Sequence, residues 1–222
     1  MGGGGWAGGG LRLPGRPRRG RRRRPAAGDA PAGGGAPGAG SPAAGGRAAG
    51  RAGAPAVRVR RARPGDLDAV VALFASVAAE GRWIAAEAPI DRAVRRRQLR
   101  ERLDRRDAVM FVAEVGGVII GQLVVDLAGY GVAEVGMLVA AEWRRRGVGS
   151  ALLGAGIDWA REAGAHKVAL QVWPHNRAAI TLYERFGFQR EGLLRRHYRR
   201  RNGELWDAVV MGLPLDRPTP AG

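Results

Sequence analysis

Arg144-Arg145-Arg146-Gly147-Val148-Gly149-Ser150 restricts this chain's fold more than any other stretch, because of what flanks it. Val132–Val139, just before it, is rich in strand formers. After it, Val148, Leu152, Ala155, Trp159 and Ala163 recur at the spacing of one helical face. A strand, a glycine turn and an amphipathic helix over Gly147–Ala163 therefore follow one another. Glycines at a helix start let a ligand approach the backbone closely. The unpaired N–H groups of the first turn and the helix dipole favour an anion there. With three arginines beside it, the turn predicts a phosphate or pyrophosphate site; the plain alternative is a glycine-rich helix start on a basic surface. A P-loop would need a Lys before Ser150, and a dinucleotide fingerprint would need a small residue at Leu152 directly after its strand. Neither condition is met.

Read outward from this turn, the pattern predicts one domain of the α/β class. Val57–Ala62 alternates apolar residues with Arg, as an edge strand does, and Pro64-Gly65-Asp66 breaks it, with Asp66 as a helix N-cap. Leu67, Val70, Val71, Phe74 and Val77 then mark one helix, and Asp91 to Leu103 a second, with Arg95, Arg96 and Arg97 on its wet face. Ala108–Val115 and Val118–Leu127 are strands joined at Gly116-Gly117, a hairpin signal. Lys167–Trp173 is a strand, Asn176–Phe186 a short helix, Phe188–Arg200 extended and Asp207–Leu215 a last strand. An antiparallel meander followed by a βαβ crossover gives a mixed central sheet flanked by helices.

The first 56 residues are different in kind. They hold 19 of the chain's 37 glycines, 7 of its 13 prolines and few large apolar side chains. Such sequence cannot bury enough apolar surface to offset its ordering entropy, so a disordered Gly/Pro/Arg-rich tail over 1–56 is expected. The folded domain would be 57–215, with a flexible C-terminus at 216–222. The tail reads either as a flexible segment, as an over-extended reading frame, or as an arm for nucleic acid or an acidic surface. The net charge of +17 points toward anionic partners, yet all but one of the 37 basic residues are Arg, which suits the codon bias of a GC-rich genome equally well. The chain has no cysteine, which excludes disulfides and thiolate chemistry. Its three histidines, His166, His175 and His197, lack metal-ligand spacing. No apolar run is long enough to span a membrane and no signal peptide is evident, so the cytoplasm is the expected location.

Arg144-Arg145-Arg146-Gly147-Val148-Gly149 fits the coenzyme A loop of the GNAT superfamily, Gln/Arg-x-x-Gly-x-Gly/Ala. Asn176, Ala179, Tyr183, Gly187 and Phe188 fit its downstream Asn-x-x-Ala-x-x-x-Tyr-x-x-x-Gly-Phe. Two separated motifs in the right order are more specific than either alone. The chain thus resembles a GNAT N-acetyltransferase over Val57–Leu215, most strongly from Glu134 to Gly192. It looks closest to bacterial members that act on small amines or protein amino termini.

That resemblance implies a single GNAT-like domain moving an acetyl group from acetyl-CoA directly to a primary amine, without a metal. The backbone at Leu138 and Val139 would pair with the pantetheine arm. The turn Arg144, Arg145, Arg146, Gly147, Val148, Gly149 and Ser150 would hold the pyrophosphate, and Asn176 would contact the pantetheine region. Tyr183 would protonate the leaving sulfur. An alkylamine is mostly protonated near neutrality and must lose a proton before it attacks, and Glu134 is the candidate base, acting through water. Each role has a bland counterpart: Tyr183 as a core aromatic, Glu134 as a solvated strand residue, Asn176 as an N-cap. Trp83, Glu87, His197, Tyr198 and Trp206 are candidates for the acceptor pocket. The acceptor would be a small amine or a protein amino terminus, and a homodimer is compatible with this reading. Two alternatives stay open: a nucleic-acid-binding protein using the tail, and a degenerate domain that binds coenzyme A without catalysis.

Overall fold

The computed structural model describes residues 56–215. The tail expected over 1–56 and the C-terminus expected over 216–222 lie outside them, except for Ala56. The elements run β1 (Arg58–Arg61), α1 (Leu67–Ala79), α2 (Arg92–Leu103), β2 (Ala108–Val115), β3 (Val118–Leu127), β4 (Val132–Val139), α3 (Val148–Glu162), β5 (Lys167–Val172), α4 (Arg177–Arg185), β6 (Gln189–Arg199) and β7 (Leu205–Pro214). Short 3₁₀ turns precede α1 and α3.

The seven strands form one mixed sheet in the order β1-β2-β3-β4-β5-β7-β6. β1 to β4 are antiparallel to their neighbours, as are β5 to β7 and β7 to β6. The two halves meet at a parallel joint between β4 and β5, which α3 connects as a crossover. That joint is short. Val132 pairs with Lys167, Ala133 with Val168 and Glu134 with Ala169, and there it ends. Beyond Glu134, β4 continues beside β3 as far as Val139, opposite Gly121. Its other edge, from Val135 to Val139, has no strand beside it among the described residues.

The sheet separates two apolar layers. On one side α3 and α4 bury Leu152, Leu153, Ile157, Ile180 and Tyr183 against Leu123, Val125, Ala133 and Val135. On the other, α1 and α2 pack Leu67, Val70, Val71 and Leu99 over Met110, Val112 and Val124.

Two expectations need correction. Asp66 does not cap α1 through its side chain. Its carboxylate instead accepts from Arg63 N at 2.6 Å and from Arg60 Nη1 at 2.7 Å, anchoring the preceding turn to β1. Arg95 is not on a wet face. Helical periodicity through Leu99 carries Arg95, four residues before it, and Arg102, three after it, onto the buried face, while Arg96 and Arg97 are exposed.

Candidate active site

The parting of β4 from β5 opens a cleft of about 1000 Å³. Glu134, Gly136, Leu138 and Val139 line it from β4, Gln171, Val172 and Trp173 from β5 and just beyond, and Asn176, Leu182 and Tyr183 from α4 and its cap. Arg144, Arg145, Gly147, Gly149 and Ser150 close one end. Ten of the twelve candidate residues thus share one cavity; Arg146 and Val148 do not line it. Arg146 lies over the Trp143 ring at 5.3 Å, and Val148 is buried in the core.

The turn before α3 is shaped for an anion. Arg145 and Gly147 both take left-handed backbone, with φ of 62° and 81°. The second of these suits glycine; the first is uncommon for any other residue type. The first main-chain hydrogen bond of α3 runs from Ala151 N to Gly147 O at 3.0 Å, so the N–H groups before it are left for a ligand. Gly149 is small for a further reason: a Cβ there would stand 3.1 Å from Leu182 and 3.5 Å from Met137. It lets α3 and α4 close against each other at the floor of the cleft.

Arg144 is engaged elsewhere than a phosphate ligand would be. Its Nε donates to Val139 O at 3.0 Å and its Nη1 to Glu80 Oε2 at 2.7 Å, while its guanidinium lies 5.4 Å from the Trp83 ring centroid. It ties the end of β4 to the end of α1, and the Glu80 carboxyl is held below its ordinary range mainly by that hydrogen bond.

Tyr183 is both a core aromatic and a cleft residue. Its ring packs 5.7 Å from that of Phe188, and burial pushes its hydroxyl up to about 12. At physiological pH the phenol is therefore protonated. Its place in the same cleft as Gly147 and Gly149 disfavours a domain that binds coenzyme A without catalysis. Asn176 Oδ1 accepts from Ala179 N at 3.2 Å, the N-cap role, which leaves its Nδ2 as a donor. Glu134 is half-buried. Burial pushes its carboxyl above the usual range, and Asp126, directly opposite on β3, adds to this, while a hydrogen bond with Tyr130 works the other way. Glu134 stands four residues before Leu138, about 13 Å along an extended strand.

On the acceptor side, Trp83 and Tyr198 line the cleft, whereas Glu87, His197 and Trp206 do not. Trp206 packs edge-on to Trp173 and His175, with ring centroids 5.4 and 5.1 Å apart. His175 Nε2 donates to Arg82 O at 2.8 Å. The sequence reading missed Arg200. It is buried, stacks over Trp206 at 4.3 Å, and donates to the carbonyls of Gly81, Ile84 and Ala85 while pairing with Glu87 at 3.2 Å. The loop at 81–90 is thereby fastened to the β6–β7 hairpin.

Residues 78–188 match the Acetyltransferase (GNAT) family. Over 120 residues the chain is 36% identical to the L-amino acid N-acetyltransferase AaaT of Escherichia coli K12, covering 50% of this chain and 72% of that one. Over 129 residues it is 34% identical to an N-alpha-acetyltransferase of Sulfurisphaera tokodaii, covering 52% and 74%. Among solved structures, a ribosomal-protein-alanine N-acetyltransferase from Brucella melitensis superposes with a TM-score of 0.66 at 26% identity, over 71% of this chain and 99% of that one. The chain belongs to the GNAT family of acetyltransferases. Its activity is acetyl transfer from acetyl-CoA, as co-substrate, to an amine nitrogen. Among the described residues no helix is long and apolar enough to cross a membrane, and no group of three or more His, Asp or Glu side chains is placed to hold a metal.

Proposed function

We propose that the parted strands are where the reaction occurs, with acetyl-CoA extended along β4 and the amine entering from the α1–α2 side. The observation that carries this is the free edge of β4 after Glu134, which leads directly to the N–H groups before α3. A strand edge can pair with the two amides of a pantetheine arm as it would with peptide, and Leu138 and Val139 are the residues for it. The N–H groups from Arg145 to Ser150 would bind the pyrophosphate, with Arg145 and Arg146 adding positive potential, and Asn176 Nδ2 would donate to the arm between. A thioester presented there supplies an activated acetyl group; the protein's part is to orient it and move two protons.

Glu134 takes the amine proton through water. Its raised carboxyl is a better base than an ordinary glutamate, yet still ionised once the pH exceeds its shifted value. Tyr183 donates to the leaving sulfur. A main-chain N–H near Leu138 offers the developing oxyanion a donor. The acceptor is a small amine or a protein amino terminus, in keeping with the names of the relatives, and the activity resides in 57–215.

Calorimetric titration tests the site. Acetyl-CoA should bind the wild-type chain with one site. Gly147→Val, which forces a β-branched residue into left-handed backbone, should weaken binding at least tenfold with the helix content of the protein unchanged. Wild-type affinity in a folded Gly147→Val protein would remove the turn from the site.

A further inference from the structure

Among the described residues, the cleft contains a charge with no counter-ion. Arg95, on α2, is 7% exposed and lines the cavity, and its Nε has no hydrogen-bond partner. Its guanidinium lies 3.9 Å from the Phe74 ring centroid, and no carboxylate among the described residues is paired with it. Burial, aided by Arg102 nearby, pulls its pKa down to about 10. A guanidinium taken out of water without an anion is among the more expensive arrangements a fold can hold. The two acids on this side of the sheet do not relieve it: Asp126 is bound by Arg102 and Arg105, and Glu134 lies beside Asp126.

A second orphan stands nearby on the sheet. Gln122, 2% exposed, also lines the cleft; its Nε2 contacts Met110 Sδ at 3.3 Å and its Oε1 has no partner. Gln122 pairs directly with Leu138 across β3 and β4, the position at which the thioester would be presented. The cleft therefore offers one buried cation lacking an anion, and one buried acceptor lacking a donor beside the reacting position.

We infer that the acceptor is a free amino acid, its carboxylate bound by Arg95 and its amine held by Gln122 Oε1 against the face of Leu138. A carboxylate meets a guanidinium through two parallel hydrogen bonds, which would satisfy the orphaned cation. A protein amino terminus does not fit, because its first residue has an amide where the carboxylate is required. This inference rests on the acetyl-transfer reading of the same cleft and narrows it to one acceptor class.

The test supplies acetyl-CoA and measures thiol release with each L-amino acid and, separately, with its carboxamide. The wild-type enzyme should use its best amino acid with kcat/KM at least about 100-fold above the carboxamide. Arg95→Met, which removes the charge and keeps the bulk, should lose that factor on the amino acid, leave the carboxamide rate within a few-fold, and bind acetyl-CoA as before. Without acceptor it should melt at the same temperature as wild type or higher, since an unpaired buried charge is gone; a purely structural Arg95 would melt lower. Equal use of acid and amide, a preference for peptide amino termini, or an equal loss on both substrates in Arg95→Met would overturn the inference. Should Arg95→Met fail to fold, its structural role is shown, and the wild-type comparison of acid and amide still decides the acceptor. An enzyme that acetylates only amines lacking a carboxylate sinks this inference alone. One that binds no acetyl-CoA and acetylates no amine sinks the acetyl-transfer reading with it.

Discussion

In the proposed reaction Tyr183 and Glu134 serve different proton transfers, and their environments suit them to opposite tasks. Tyr183→Phe keeps the ring packed against Phe188 and removes only the hydroxyl. It should lower kcat by roughly 10²–10⁴-fold with acetyl-CoA affinity near wild type, measured by steady-state rates and calorimetry. Undiminished turnover would make Tyr183 a core aromatic alone. Glu134 carries a cost for its role. Its folded carboxyl binds a proton more tightly than in the unfolded chain, where the value is near 4.5. As pH rises from there through the raised value, the folded state gives up stability, and below the unfolded value that penalty is absent. Glu134→Gln should therefore flatten the fall of stability across that window, and the acidic limb of the kcat/KM profile should disappear together with most of the rate. Thermal melts and pH–rate profiles of the two proteins check both halves.

At the scale of elements, what was legible in the sequence was whatever local periodicity determines. β2, β3 and β4 begin and end where the runs of strand formers and the Gly116-Gly117 turn place them, and Asp91 caps α2 by accepting from Val94 N at 2.9 Å. What was illegible depends on residues distant in sequence. Asp66 looks like a cap until Arg60 claims it, and Arg95 looks wet among Arg96 and Arg97 until Leu99 fixes the helix's rotation. The same helical spacing was the one signal that could have found Arg95. The turn and Tyr183 were visible because their motif is local, but the three-pair joint between β4 and β5 that gives them a cavity has no signature of its own. Arg200 is the clearest case, since its partners lie more than 100 residues earlier. Arg200→Ala removes the ion pair to Glu87 and the donors to the carbonyls of Gly81, Ile84 and Ala85, while Glu87 keeps the Arg201 main-chain N–H and Arg201 still holds Ala88 O. The substitution should cost about 3 kcal/mol, or roughly 6–12 °C in Tm, and raise the KM for the amine more than that for acetyl-CoA. An unchanged Tm would show that the loop is held by Arg201 and its aromatic contacts instead.

For the molecule as a whole, the three apolar clusters of the described residues run from Val57 to Leu215. A chain beginning at Ala56 should accordingly melt as the full chain does and keep its kcat/KM; loss of either would place part of the folding unit in the first 56 residues. The reaction itself is the central claim. The proposed transfer is direct, through a complex holding both substrates, since the chain has no cysteine to carry a thioester intermediate. Initial rates of thiol release at crossed concentrations of acetyl-CoA and the acceptor amine, with the N-acetyl product quantified alongside, test this most directly. Lines that intersect in the double-reciprocal plot, with one acetylated amine formed per thiol released, are the predicted result. Parallel lines, or thiol release indifferent to the amine, would contradict it.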